Sequence, residues 1–149
     1  MRKIKLRVWN KKIQKMEYDI FDLYDEYCLR DGKLKTIHGP TGEEWTKETN
    51  IILMQYTGLK DKNGKEIFED DILQYPNKDL LVLIKFGYYN NEESYEENIS
   101  GYGYYLEIKD KITKEKRIED LHPSDGKLKF LQNIGNIYEN PELLKHEKI

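Results

Sequence analysis

The chain has 149 residues and a mass of 17.9 kDa, room for one ordinary domain or at most two small lobes. Its 25 Lys+Arg against 28 Asp+Glu leave a net charge of −3, which excludes a protein whose whole surface serves as a polyanion binder. Charged residues make up 36% and mean hydropathy is −0.87, but compositional disorder also requires high net charge, and twelve Tyr, four Phe and two Trp supply compact apolar surface for a small core.

The N-terminus alternates cleanly. Ile4, Leu6 and Val8 fall on one face of a strand, and Lys3, Lys5, Arg7 and Trp9 on the other. Asn10-Lys11-Lys12 reads as a turn, and Met16, Tyr18 and Ile20 resume the period of two, so an N-terminal β-hairpin is predicted. Asp31-Gly32 is a type I′ turn signal joining Tyr27-Cys28-Leu29 to Leu34-Lys35-Thr36-Ile37, because both central positions must tolerate positive φ. Gly39-Pro40-Thr41-Gly42 punctuates the chain and supports two subregions, residues 1–44 and 45–149. Glu43 to Asn50 is read as a helical turn.

Ile51 to Tyr56 is a β-rich apolar run ended by Thr57-Gly58, and Asp61-Lys62-Asn63-Gly64 is a sharp turn. Short strands follow at Ile67-Phe68 and Asp71 to Tyr75, and Pro76-Asn77-Lys78-Asp79 turns the chain into a long central strand from Leu80 to Tyr89. The stretch from Asn90 to Asn98 has acidic, amide-rich loop chemistry, and alternation resumes at Tyr104, Leu106 and Ile108. Pro123-Ser124-Asp125-Gly126 predicts a turn into a strand at Leu128 to Leu131. Asn140-Pro141-Glu142 predicts an N-capped short C-terminal helix. Strands every 8–12 residues separated by tight turns describe a mainly β chain: a small antiparallel, SH3-like barrel preceded by the hairpin subregion.

Several function classes find no support. The longest apolar run, Leu80 to Ile84, is far short of the roughly 18 residues that cross a bilayer, and the basic N-terminus lacks the apolar stretch of a secretory signal. The single cysteine, Cys28, excludes an internal disulfide, leaves no CxxC for zinc and reads as a small buried hydrophobe; a reduced, cytoplasmic setting is expected. His38, His122 and His146 are scattered, and no HExxH, phosphate-cradling glycine loop or GxSxG is present. Asp70-Asp71 is the nearest approach to a carboxylate dyad, but neighbours on a strand point to opposite faces. No catalytic residue, metal site or cofactor is assigned, and the chain is expected not to be an enzyme.

Three segments resemble the signature blocks of the YopX family: Met1 to Lys12, Leu53 to Ile72 and Ile134 to Leu144. Among them are Gly58-Leu59-Lys60-Asp61-Lys62-Asn63-Gly64, Glu66-Ile67-Phe68-Glu69-Asp70-Asp71-Ile72 and Ile134-Gly135-Asn136-Ile137-Tyr138. The resemblance implies a phage or prophage origin in low-GC Gram-positive bacteria, a largely β fold and an intracellular life, and it implies no activity. The family pattern has Gly where this chain has Asp70; if that position takes positive φ, Asp is among the better substitutes.

Two binding readings follow. Met54, Gln55 and Tyr56, together with the tyrosines Tyr88, Tyr89, Tyr95 and Tyr102 around the acidic stretch, form a candidate protein interface, since Met and Tyr suit such surfaces. This gives an uncharacterised accessory protein acting through contacts with itself, as a homo-oligomer, and with a host or phage protein. The alternative is a nucleic-acid-binding factor that uses Lys3, Lys5 and Arg7 on phosphates and stacks a base on Trp9. Against it stands the acidic run that directly follows, Glu17 to Glu26, which offsets the field of the basic strand.

Overall fold

In a computed structural model of the chain, the structure describes residues 5–18, 27–30, 33–38, 43–45, 51–91, 99–121 and 126–145, with the backbone alone at 27–30, 33–38, 43–45, 91 and 99. The alternating segments become strands, and the chain divides into two units, Met1–Tyr56 and Thr57–Ile149. The division falls inside a strand, beyond the 44/45 boundary expected from the Gly-Pro-Thr-Gly punctuation.

In the first unit, β1 (Leu6–Asn10) and β2 (Lys15–Tyr18) form the predicted hairpin. The Asn10 side chain closes it by accepting the N–H groups of Lys12 at 3.0 Å and Ile13 at 3.4 Å, an Asx turn. The outer edge of β1 is then taken by β6 (Ile51–Lys60), with Leu6 opposite Gln55 and Asn10 opposite Ile51. Leu6, Arg7, Val8 and Trp9 are all buried, so both faces of β1 are covered. β3 (Tyr27–Arg30), β4 (Lys33–His38) and β5 (Glu43–Trp45) make a three-stranded antiparallel sheet. Arg30 pairs with Lys33, which leaves two residues for the connection, as the Asp-Gly signal requires; residues 31 and 32 themselves lie outside the described residues, as does the side chain of Cys28. Residues 43–45 are a strand, and not the start of a helical turn, because they pair with Thr36 to His38.

The second unit holds β7 (Glu66–Phe68), β8 (Asp71–Gln74), β9 (Leu80–Asn91), β10 (Ile99–Asp110), β11 (Lys116–Asp120) and β12 (Gln132–Asn136). Five of these form a curled antiparallel sheet in the order β11-β10-β9-β8-β12. Its inner face carries Leu73, Val82, Ile84, Leu106 and Ile108, with Val82 opposite Ile108 and Ile84 opposite Leu106, and Ile67, Leu128 and Leu131 complete the core. Residues 126–130 are a 3₁₀ helix where a strand was expected. The three-residue repeat of that helix puts Leu128 and Leu131 together into the core and leaves Phe130 exposed, an arrangement a two-residue period cannot give. The expected C-terminal helix is a four-residue 3₁₀ helix, Pro141–Leu144, and Asn140 does not cap it with its side chain; its Oδ1 accepts the N–H of Asn136 at 3.2 Å instead.

The Asp61 to Gly64 turn forms as predicted, with the Gly64 N–H donating to the Asp61 carbonyl at 3.0 Å. Asp61 Oδ1 accepts the N–H groups of Asn63 and Lys65 at 2.8 and 2.9 Å, and its Oδ2 accepts that of Asn133 at 2.8 Å. Burial pushes this carboxyl upward, but the three N–H groups and the Lys65 charge outweigh it and hold the group below its ordinary value of 3.8. A depressed carboxyl stabilises the fold above the unfolded value and loses that contribution as pH falls through the folded one. Asp61→Asn places an amide donor against a backbone donor and is expected to cost about 1–3 kcal/mol at neutral pH by urea denaturation. The gap between variant and parent should narrow below the ordinary value of 3.8.

Candidate functional site

The β9–β10 ladder is in register from Leu80 opposite Asp110 to Asn91 opposite Ile99. Its neighbours are shorter: β8 pairs with Leu81 to Leu83 of β9, and β11 with Tyr105 to Lys109 of β10. Among the described strands, therefore, residues 86–91 and 99–104 pair only with each other and form a two-stranded ribbon. A strand's period of two continues the core face along this ribbon. Beyond Val82 and Ile84 on β9 come Phe86 and Tyr88, and beyond Ile108 and Leu106 on β10 come Tyr104 and Tyr102.

The core ends before the aromatic residues do. Phe86 is 40% exposed, Tyr88 67% and Tyr102 76%. Tyr88 stands directly opposite Tyr102 and Phe86 opposite Tyr104, and the Phe86 ring meets those of Tyr102 and Tyr104 edge-on at 5.5 and 4.9 Å. Such contacts add about 0.5–1.5 kcal/mol each and hold a ribbon that would otherwise be marginal in water. On the other face, Tyr89 lies over its cross-strand partner Gly101, where a Cβ would come within 2.8 Å of the tyrosine oxygen. The Tyr105 ring sits 5.2 Å from Tyr89, and burial, with the negative charges of Glu107 and Asp70, raises its hydroxyl above the usual tyrosine value.

Of the residues singled out in the sequence, Tyr88 and Tyr102 come together on this exposed face, and Tyr89 belongs to the reverse side. Tyr95 and Lys3 lie outside the described residues. Met54 is 0% exposed and faces Arg7 across β1–β6, so it is core and cannot touch a partner; Gln55 is exposed and Tyr56 half-buried, with the Lys5 ammonium 5.7 Å from its ring. Arg7 and Trp9 are 2% and 7% exposed. On the two flanking strands Trp9 stands opposite Met16 and Ile52, and Arg7 opposite Tyr18 and Met54. The basic strand is therefore no platform for stacking a base. Phe86 was missed, although its signal was present: it shares the parity of Val82, Ile84 and Tyr88.

Asp70 and Asp71 have separate partners. Asp71 Oδ2 accepts the Phe68 N–H at 2.8 Å and the Asn133 side-chain amide at 2.7 Å. Asp70 accepts the Tyr138 hydroxyl at 3.1 Å and lies 3.7 Å from the Lys85 ammonium. Among the described residues no group of three His, Cys, Asp or Glu is placed to hold a metal ion, and no helix is long and apolar enough to cross a membrane.

A family model described as YopX protein matches residues 5–145. The crystal structure of protein EF1440 from Enterococcus faecalis is similar, with a TM-score of 0.52 and 24% identity over 97% of this chain and 100% of that one. At that identity the likeness speaks for the fold alone. No curated protein matches the chain.

The position where the family pattern has Gly takes φ of +67° in this chain, as the substitution by Asp anticipates. Its backbone is engaged on both sides: the Asp70 N–H donates to the Ile84 carbonyl at 2.8 Å, and its own carbonyl accepts the Ile137 N–H at 3.1 Å. Asp70→Gly loses the carboxylate contacts but relieves the left-handed backbone, and is expected to stay within about 1 kcal/mol of the parent in urea denaturation. Asp70→Val keeps the strained backbone with a branched side chain and should cost about 2 kcal/mol or more. Equal losses for the two variants would show that backbone conformation is not what this position selects.

Proposed function

The chain belongs to the YopX family, and from that premise we propose that it is a non-enzymatic accessory protein of a phage or prophage, working in the bacterial cytoplasm through protein–protein contacts and as a homo-oligomer. The observation that carries the reading is the pair Tyr88 and Tyr102, 67% and 76% exposed, facing each other on a ribbon with Phe86 beside them. A contiguous aromatic face of this kind, left in water, is the composition of an interface core. The ribbon also offers strand edges that no described strand covers, and an antiparallel edge pairs naturally with its own copy across a two-fold axis. A host or phage protein is the other partner proposed for the same face.

In the same reading the second unit is an SH3-like barrel. The order β12-β8-β9-β10-β11, which is fifth, first, second, third and fourth strand in chain order, supports it, as does the 3₁₀ helix directly before the last strand. Burial of Arg7 and Trp9 counts against nucleic acid as the partner.

Sedimentation of the full chain at micromolar concentration is expected to show a dimer or larger species. The double variant Tyr88→Ser/Tyr102→Ser, with an unchanged circular dichroism spectrum, should sediment as a monomer. A parent protein that is monomeric throughout the micromolar range overturns the self-association, and an oligomer that survives the double variant overturns the ribbon as its seat.

A further inference from the structure

The face of the curled sheet opposite the core carries a second cluster of apolar side chains, Ile72 and Leu81 buried and Leu83 half-buried, in a different place from the aromatic ribbon. Two registered rows cross it. One runs Gln74, Leu81, Lys109, Lys116 from β8 to β11, and the next runs Ile72, Leu83, Glu107, Ile118. Side chains in one row stand side by side on the same face of a sheet. Ile72, Leu81 and Leu83 form the floor of an open cavity of about 240 Å³, and Leu144 of the C-terminal 3₁₀ helix forms a wall. The rest of the lining is charged: Glu107, Lys109 and Lys116.

The charges at this rim are not balanced. Lys109 and Lys116 are directly opposite each other on β10 and β11, and like charges so placed destabilise a ladder. Glu107, the single carboxylate of the lining, pairs with Lys116 at 3.9 Å. Among the described residues Lys109 has no ion-pair partner. Two ammonium groups and one carboxylate leave one positive charge beside an apolar floor, which is the complement of a molecule with one negative charge and one apolar end. The volume is below the roughly 300–1,000 Å³ of sites for drug-sized ligands, so the occupant is short.

We infer that this cavity binds a small amphipathic monocarboxylate. Its branched aliphatic or aromatic group rests on Leu81 and Leu83 beside Leu144, and its carboxylate lies between the Lys109 and Lys116 ammonium groups. A neutral apolar molecule leaves the lysine pair uncompensated, and a dianion exceeds the single positive charge of the rim. The carboxylate both relieves the repulsion between the two lysines and completes the ion pairing that Glu107 alone leaves unfinished.

The test is a methyl-detected NMR titration of the full chain with 4-methylpentanoate and, in parallel, with its neutral amide. Saturable shifts are expected at the methyls of Leu81, Leu83 and Leu144 with the acid. Two half-exposed ion pairs are worth about 1 kcal/mol together, so the amide should bind roughly fivefold more weakly. Added salt should narrow that difference, and Lys109→Gln/Lys116→Gln, changes at the surface, should abolish it. Absence of saturable shifts at these methyls, equal affinity for acid and amide, or a preference that survives the double variant would each overturn the assignment.

Discussion

Asn133 is the group on which the second unit hangs. Its backbone N–H donates to Asp61, its side-chain amide donates to Asp71 at 2.7 Å, and its Oδ1 accepts the N–H of Gly135 at 3.2 Å. All of Asp61, Asp71 and Asn133 are buried, where an unsatisfied polar group is costly and a satisfied one fixes geometry. One residue, through its backbone N–H and its side-chain amide, therefore ties the Asp61–Gly64 turn, the start of β8 and the start of β12 into a single arrangement. The bulge in the β8–β12 ladder, between Asn133 and Gly135, is where the chain leaves regular pairing to make these bonds. The same chemistry continues down the chain. Asn136 Oδ1 accepts the N–H groups of Tyr138 and Glu139 at 3.0 and 2.9 Å, and the Asp70 carbonyl takes that of Ile137.

This network explains what the family-like blocks have in common. The stretch from Leu53 to Ile72 and the stretch from Ile134 to Leu144 are distant in sequence, yet Asp70 is bonded to Ile137 and Tyr138, and Asp61 and Asp71 reach the residue just before the second block. The Asp61 carboxylate accepts backbone N–H groups, that of Asp71 the Phe68 N–H and the Asn133 side-chain amide, and that of Asp70 the Tyr138 hydroxyl beside the Lys85 ammonium. They are accordingly poor candidates for chemistry on a substrate, and the surfaces proposed for binding draw mainly on β9, β10 and β11, with Ile72 and Leu144 at the ends of the two blocks lining the cavity.

Local signals in the sequence were read correctly where one short segment contains its own explanation. The Asn10 turn and the Asp61–Gly64 turn each depend on side chains within a few residues. Partners distant in the chain were not legible. A period of two shows that Arg7 and Trp9 share a face but not that both are buried, nor that β6, more than forty residues later in the chain, takes the second edge of their strand. The apolar spacing at Leu128 and Leu131 fits a 3₁₀ helix as well as a short strand, and only the core they jointly fill decides between them. Asn140-Pro141 has the composition of a helix cap, but the competing N–H of Asn136, four residues earlier, takes the side chain instead.

The ribbon follows from the mismatch in length between β9–β10 and the strands beside it, whereas the cavity lies where β8, β9, β10 and β11 are all paired. On one face, the row of Val82, Ile84, Leu106 and Ile108 is covered by the core, and the same parity carried further emerges as Phe86, Tyr88 and Tyr102 in solvent. On the opposite face, Leu144 of the four-residue 3₁₀ helix lines the cavity beside Ile72, Leu81 and Leu83. A sheet of equal strands would leave no aromatic ribbon. The two surfaces proposed for partners thus differ in kind: exposed aromatic rings on the ribbon, and on the opposite face a lysine-rimmed cavity over Ile72, Leu81 and Leu83.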